Sequence, residues 1–516
     1  MINAAYEIER LLKFARKNGL IEQLDEIFVR NQLLDLFKLE EPYNGLVPEE
    51  NPEYPTGILD CLLSYAEENG FYDKEIKAYR ELFDTKVMGL LMPRASEVSR
   101  RFEELSRTEG IEKATDYFYR LCLVSNYIRT AQISKNIGWK VDTEYGELEI
   151  TINLSKPEKD PKQIALELSM PQKQYPKCLL CLENTGYAGR VNFPARQTHR
   201  VVPVTLSGEP WYLQYSPYVY YNEHCIVFSE EHRPMQVTRK TFERLLNFVE
   251  QFPHYTCGSN ADLPIVGGSI LSHDHFQGGR YTFPMEIAEI VLKASHSSYP
   301  GMKISTLRWP LSVIRASSSD VRSLVEFSDY VLKQWREYSD EKSELLAYTT
   351  VNGEKVPHNT ITPIARRNRQ GEYEIDLVLR NNRTTPEYPD GLFHPHKEMH
   401  HIKKENIGLI EVMGLAILPA RLSVETGLIK DILTGSTPLN SVDSKDNVLY
   451  KHITWVRELI AKYGKKISGE QSEKVLQYEI GEKFKTCLEH SGVYKQTEKG
   501  QKAFTDFLKS MGCKIA

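Results

Sequence analysis

No stretch of this chain stays apolar for the ~20 residues a membrane-spanning helix needs. The best run, from Val412 to Pro419, stops far short. A basic excess is also missing: 65 Lys and Arg against 70 Asp and Glu leave a formal net charge of -5. That argues against a nucleic-acid protein, which carries a basic domain. Cysteine is scarce, eight in 516 residues and scattered except for one pair. The opening residues, MINAAYEIERLLKFARKNG, carry acids inside their apolar pattern and no small-residue cleavage site. The expectation is therefore a cytoplasmic protein with reduced thiols rather than a disulfide framework. Neither a Walker A sequence nor a Gly-x-Gly-x-x-Gly fingerprint is present, so any nucleotide is held some other way.

What is there is ordinary globular composition, 41% apolar and 10% aromatic, in a chain too long for one core. Residues 1–135 read as helical. Tyr6, Ile8, Leu11, Leu12 and Ala15 make an apolar face that Gly19 ends, and a second helix carries Leu24, Ile27, Phe28, Leu33, Leu34 and Phe37. From Trp139 the period changes to strand-like alternation, with Leu148, Ile150, Ile152 and Leu154. A hairpin turn follows at Thr205–Pro210, then a buried strand at Cys225–Phe228 and a helix over Thr238–Phe252. The run EIAEIVLKAS reads as helical. Beyond Gly301, strands and helices alternate again, and the chain from 431 returns to charged amphipathic helices.

Two His-x-His pairs stand out, His273-Asp274-His275 and His394-Pro395-His396, one in each α+β stretch. They suggest an internal duplication, and four sections: 1–135, 136–300, 301–430 and 431–516. If Ser272–Gln277 is extended, His273, His275 and Gln277 share a face and Asp274 points the other way. Imidazoles and an amide in a row are poor core material, because each buried polar group needs a partner. Three readings compete: an imidazole that attacks phosphorus and forms a covalent phosphoramidate, a pair of metal ligands, or polar residues satisfied within a sheet. Asn260 and Ser269, just upstream, are placed to hold phosphate oxygens, or else to cap a turn.

Cys178-Leu179-Leu180-Cys181 has the Cys-x-x-Cys spacing that begins many tetrahedral zinc sites. No second such pair exists, so His232 and His273 are the candidates to complete it; the alternative is two reduced cysteines packed in the core.

Taken together, CLLCLENTGYAGR, FSEEHRP, GGSILSHDHFQGG and FHPHKEMHH resemble the galactose-1-phosphate uridylyltransferases, most closely their longer bacterial second class. The resemblance spans nearly the whole chain. It implies an α+β fold of two histidine-triad-like halves with antiparallel sheets, flanked by N- and C-terminal helical regions. It implies ping-pong transfer of a uridylyl group from UDP-glucose to galactose 1-phosphate, with His275 as nucleophile and Gln277 on the phosphoryl oxygens. Asn222 and Asn260 fall where the family contacts nucleoside and phosphates. Cys178, Cys181, His232 and His273 match a structural zinc site. A second metal, seen in some members, would draw on Glu286 or Glu289 with His358, His394 and His396. A homodimer is usual for the family. Competing functions are a histidine-triad hydrolase or phosphorylase using the same histidine, and a zinc-stabilised binding protein; a third His is usual in the former where this chain has Gln277.

Overall fold

The computed structural model describes residues 2–155, 166–167, 170 and 173–515 of the chain. The fold is α+β and forms two compact units, one of Met1–Lys135 with Pro157–Arg233, the other of Asn136–Lys156 with Pro234–Ala516. These cut across the four sections expected from sequence. Strand Leu415–Leu418 pairs in parallel with Gly146–Ile152, and Cys513–Ile515 pairs with Ile290–His296, so the sections share sheets.

In the first unit, helix Ala4–Lys17 begins where Asn3 accepts from the Tyr6 N–H, and ends at Gly19 with φ +69°. It buries Ile8, Leu11, Leu12 and Ala15. Helix Asp25–Leu36 differs from the expected face: Leu33, Leu34 and Phe37 are buried, but Leu24, Ile27 and Phe28 are exposed. Strands Val202–Leu206, Glu209–Tyr215 and Cys225–Ser229 form an antiparallel meander. Its first turn has Ser207 and Gly208 both at positive φ, the geometry that matches strand twist in a two-residue hairpin.

His199 lies under this meander, its Nε2 2.8 Å from Gln214 Oε1. That oxygen only accepts, so Nε2 carries a hydrogen. Burial, and then nearby Arg196, hold its pKa down at about 3, from an ordinary 6.5. The folded value lies below the unfolded one, so the unfolded chain takes up the proton first. Stability is intact above pH 6.5 and falls as pH drops toward 3, by about 2 kcal/mol at pH 5. Denaturant melts at pH 7 and pH 5 should show that His199→Phe removes this increment; equal slopes in both proteins would refute the assignment.

In the second unit, an antiparallel sheet runs in the order Cys513–Ile515, Ile290–His296, Lys303–Leu307, Val313–Ser318, Tyr373–Asn381, Asn359–Arg367, Thr256–Gly258, His275–Gly279. Helices Arg239–Gln251 and Val321–Glu337 pack on one face, where Trp335 donates its indole N–H to the carbonyls of Thr360 and Arg380. The helical reading of EIAEIVLKAS is corrected. Pro284–Ile287 is a single 3-10 turn and Ile290–His296 is a strand, bonded on one side to the next strand, Lys303–Leu307, and on the other to the distant Cys513–Ile515. The C-terminal region is helical over Ile453–Tyr463, Gly469–Ser491 and Glu498–Ser510 before its last strand.

Candidate active site

Strand His275–Gly279 lies beside Thr256–Gly258, which lies beside Asn359–Arg367. The strand begins at His275, and His273 sits in a bend ahead of it rather than on an extended run. Asp274 does face away: its carboxylate is 3.6 Å from Arg244, on the helix that covers the opposite face. The loop feeding the strand is closed by a bridge between Ala261 and Gly267. A Cβ at Gly267 would lie 2.6 Å from Ala261 O, and one at Gly268 2.7 Å from Asn260 Nδ2. These glycines make room for the protein's own atoms.

His275 is buried, and its Nδ1 is 2.8 Å from the His273 carbonyl. A carbonyl only accepts, so Nδ1 carries the hydrogen and Nε2 carries the lone pair. Burial pushes the pKa of His275 down to about 4 against the opposing pull of that carbonyl, with His273 adding a smaller downward push. The imidazole is therefore neutral near pH 7, with one nitrogen available as a nucleophile.

Gln277 is half-buried, two residues along the same strand and so on the same face as His275. Asn260 is buried, and its Oδ1 accepts from the Leu409 N–H at 2.9 Å. Ser269 is exposed on the feeding loop, and Asn222, in the first unit, is exposed with its amide 3.4 Å from Glu223. Sequence reasoning missed the segment Asn406–Leu409. Asn406 donates to the Gly267 carbonyl at 3.4 Å, and the Ile407 carbonyl accepts from buried Arg380 at 2.9 Å. Together with the Asn260 bond, these tie the segment to the loop and strands bearing the site. Nothing in local periodicity marks such long-range bonds.

In the first unit Cys178, Cys181 and His232 converge, with ligand atoms within 4.8 Å of one another. Cys181 Sγ is 3.1 Å from His232 Nδ1 and 3.5 Å from Cys178 Sγ. Buried Asn184 donates to the carbonyls of Cys178 and Cys181 at 2.9 and 2.7 Å, and the Leu180 N–H points at Cys178 Sγ at 3.4 Å. Burial and then the Cys178 thiol push the pKa of Cys181 up to about 12. Two thiols and an imidazole held this closely suit a borderline-soft metal ion, whose charge would favour the thiolates.

The residues implied for a second metal do not assemble. His358 uses both ring nitrogens, on Asn382 Oδ1 at 2.9 Å and Thr349 Oγ1 at 3.0 Å. His394 bonds the Pro395 carbonyl through Nδ1, Glu289 lies 3.5 Å from Arg308, and Glu286 faces Arg366. His396 groups instead with Glu398 and His490. There His490 Nδ1 accepts from the His396 backbone N–H at 3.2 Å, which puts the ring hydrogen on Nε2. The nitrogen facing Glu398 is thus a donor, not a ligand.

Comparison with known proteins adds to this geometry. The models of the N-terminal and C-terminal domains of galactose-1-phosphate uridyl transferase match residues 19–234 and 247–429. A galactose-1-phosphate uridylyltransferase of Caldanaerobacter subterraneus is 58% identical over 513 residues, covering 99% of each chain. Those of Fusobacterium nucleatum and Bacillus subtilis are 52% and 48% identical, each pairing covering 98% of both chains. A crystal structure of yeast Ap4A phosphorylase Apa2 aligns with a TM-score of 0.31 and 12% identity over 64% of this chain and 88% of that one, too distant to argue from. Near-complete coverage at such identity leaves one assignment: the chain belongs to the galactose-1-phosphate uridylyltransferase family.

Proposed function

We propose that this chain transfers the uridylyl group of UDP-glucose to galactose 1-phosphate through a covalent intermediate on Nε2 of His275. The Nε2 lone pair attacks the α-phosphorus, an N–P bond forms, and the P–O bond to glucose 1-phosphate breaks. A phosphate oxygen of galactose 1-phosphate then attacks the same phosphorus, the N–P bond breaks, and UDP-galactose leaves. The observation that carries this reading is the 2.8 Å contact between His275 Nδ1 and the His273 carbonyl. It fixes the lone pair on Nε2 and accepts from a ring that becomes positive as the N–P bond forms, so it strengthens toward the transition state. Both the leaving and the attacking groups are sugar phosphates, so no strong general acid is needed.

Gln277 donates its amide to the phosphoryl oxygens in this scheme, and Asn222, Asn260 and Ser269 contact nucleotide and phosphate. For Asn260 only the amide nitrogen is left to donate, because its oxygen serves Leu409. Cys178, Cys181 and His232, with His273 as fourth ligand, would hold a zinc ion whose task is to brace the residues before His275. A homodimer in the cytoplasm belongs to the same reading, on the family resemblance.

With UDP-glucose alone, the protein should release about one equivalent of glucose 1-phosphate per site and then stop, because water does not discharge the intermediate. Continued release without acceptor would favour the hydrolase reading. Gln277→Ala should lower kcat by roughly 10²–10³, the usual cost of one transition-state donor, while the burst keeps its amplitude. An unchanged kcat would remove Gln277 from the mechanism.

A further inference from the structure

Gly258 lies opposite Gln277 in the strand register, and Asn260 follows two residues later. The Asn260 side chain is buried, and its planar amide has two orientations half a turn apart, one offering N–H and the other oxygen. Which end faces a phosphate decides whether the residue donates to it or repels it. The Leu409 backbone N–H only donates, so its 2.9 Å contact selects Oδ1. Nδ2 is then left beside Gly268, on the loop that leads to His275.

Leu409 is the first residue of the short helix Leu409–Val412, so its N–H is only as fixed as that turn. Glu411 Oε2 accepts from the Gly408 N–H at 3.1 Å and closes the start of the helix. Glu411 Oε1 accepts from Lys403 Nζ at 3.0 Å. Lys403 is 3% exposed, and its other carboxylate neighbour, Glu405, stands farther off at 3.7 Å. Burial works against the Lys403 charge, but Glu411 and then Glu405 hold its pKa above the ordinary lysine value. We propose, on the uridylyl-transfer reading in which Asn260 meets the substrate phosphate, that Lys403 is a positioning residue: through Glu411 and the Leu409 N–H it keeps the donor end of the Asn260 amide toward the phosphate.

A double-mutant cycle on kcat/KM for UDP-glucose separates this role from a bracing one. Asn260→Ala should lower kcat/KM by roughly 10–100-fold, the worth of a hydrogen bond to a charged oxygen. Lys403→Met should cost a similar factor in the native background, but about threefold or less in the Asn260→Ala background, where the amide it orients is gone. The same loss in both backgrounds would overturn the proposal and leave the role of Asn260 intact. A wild type that transfers no uridylyl group, or Asn260→Ala with unchanged kcat/KM, would instead sink the reading of the site, and the proposal with it. If Lys403→Met does not fold, Leu409→Pro takes its place, since proline is accepted at the first position of a helix and lacks the N–H. Leu409→Ala keeps that N–H and controls for the lost side chain. Leu409→Pro should fall about tenfold or more below Leu409→Ala, and equal kcat/KM in the two would overturn the proposal.

Discussion

His275→Asn is expected to lower kcat by on the order of 10⁴ or more while leaving the fold and UDP-glucose binding in place. Asparagine is the informative replacement because its side-chain N–H can take the position of the imidazole Nδ1–H and keep the bond to the His273 carbonyl, 2.8 Å in the native protein. The start of the strand is then held, and only the nitrogen that attacks phosphorus is lost. Gln277 would remain on the same face and Arg244 would still meet Asp274 behind the sheet, so the melting curve should stay close to that of the wild type. The check is a steady-state kcat together with the glucose 1-phosphate burst, which should vanish. A variant retaining more than a few per cent of turnover would show that His275 is not the nucleophile.

Cys178→Ser should abolish metal content and lower stability by roughly 3 kcal/mol or more, since metal binding free energy is folding free energy where the ligands come from loops. The knuckle is held by one turn of backbone and by Asn184, whose amide bridges the carbonyls of Cys178 and Cys181. Without a cation, Cys181 remains a buried thiol with a raised pKa. The loss should be seen by elemental analysis and by a melting transition lowered by several degrees. Because His273 supplies the carbonyl to His275, kcat should fall as well, by less than in His275→Asn. Unchanged metal content in Cys178→Ser would refute the site, whichever way activity moves.

The parts legible in the sequence are those whose signal is local. The helix read over Thr238–Phe252 forms as Arg239–Gln251, and the hairpin turn read at Thr205–Pro210 joins Val202–Leu206 to Glu209–Tyr215. The spacing of Cys178 and Cys181 pointed to His232, which the fold does bring to them. Period-two reasoning placed Asp274 behind the sheet correctly, although the strand starts at His275 and His273 lies in a bend.

What was not legible depends on register between distant segments. Ile290–His296 shows mostly exposed residues and no clean alternation; its strand identity comes from Lys303–Leu307 and Cys513–Ile515 on its two sides. Leu24, Ile27 and Phe28 have helical spacing but lie exposed among the described residues. The Leu409 N–H meets Asn260 across 149 residues of chain, so no local pattern marks the bond that turns its amide.

Attack by His275 Nε2 on phosphorus leaves a covalent mark that labelling can find. The protein is incubated with UDP-glucose labelled in the α-phosphate, quenched without acid, digested and mapped by mass spectrometry. One acid-labile uridylyl group per chain is expected on the peptide containing His275, released by galactose 1-phosphate and stable to water alone. No adduct in the wild type, or equal labelling of His275→Asn, would contradict it.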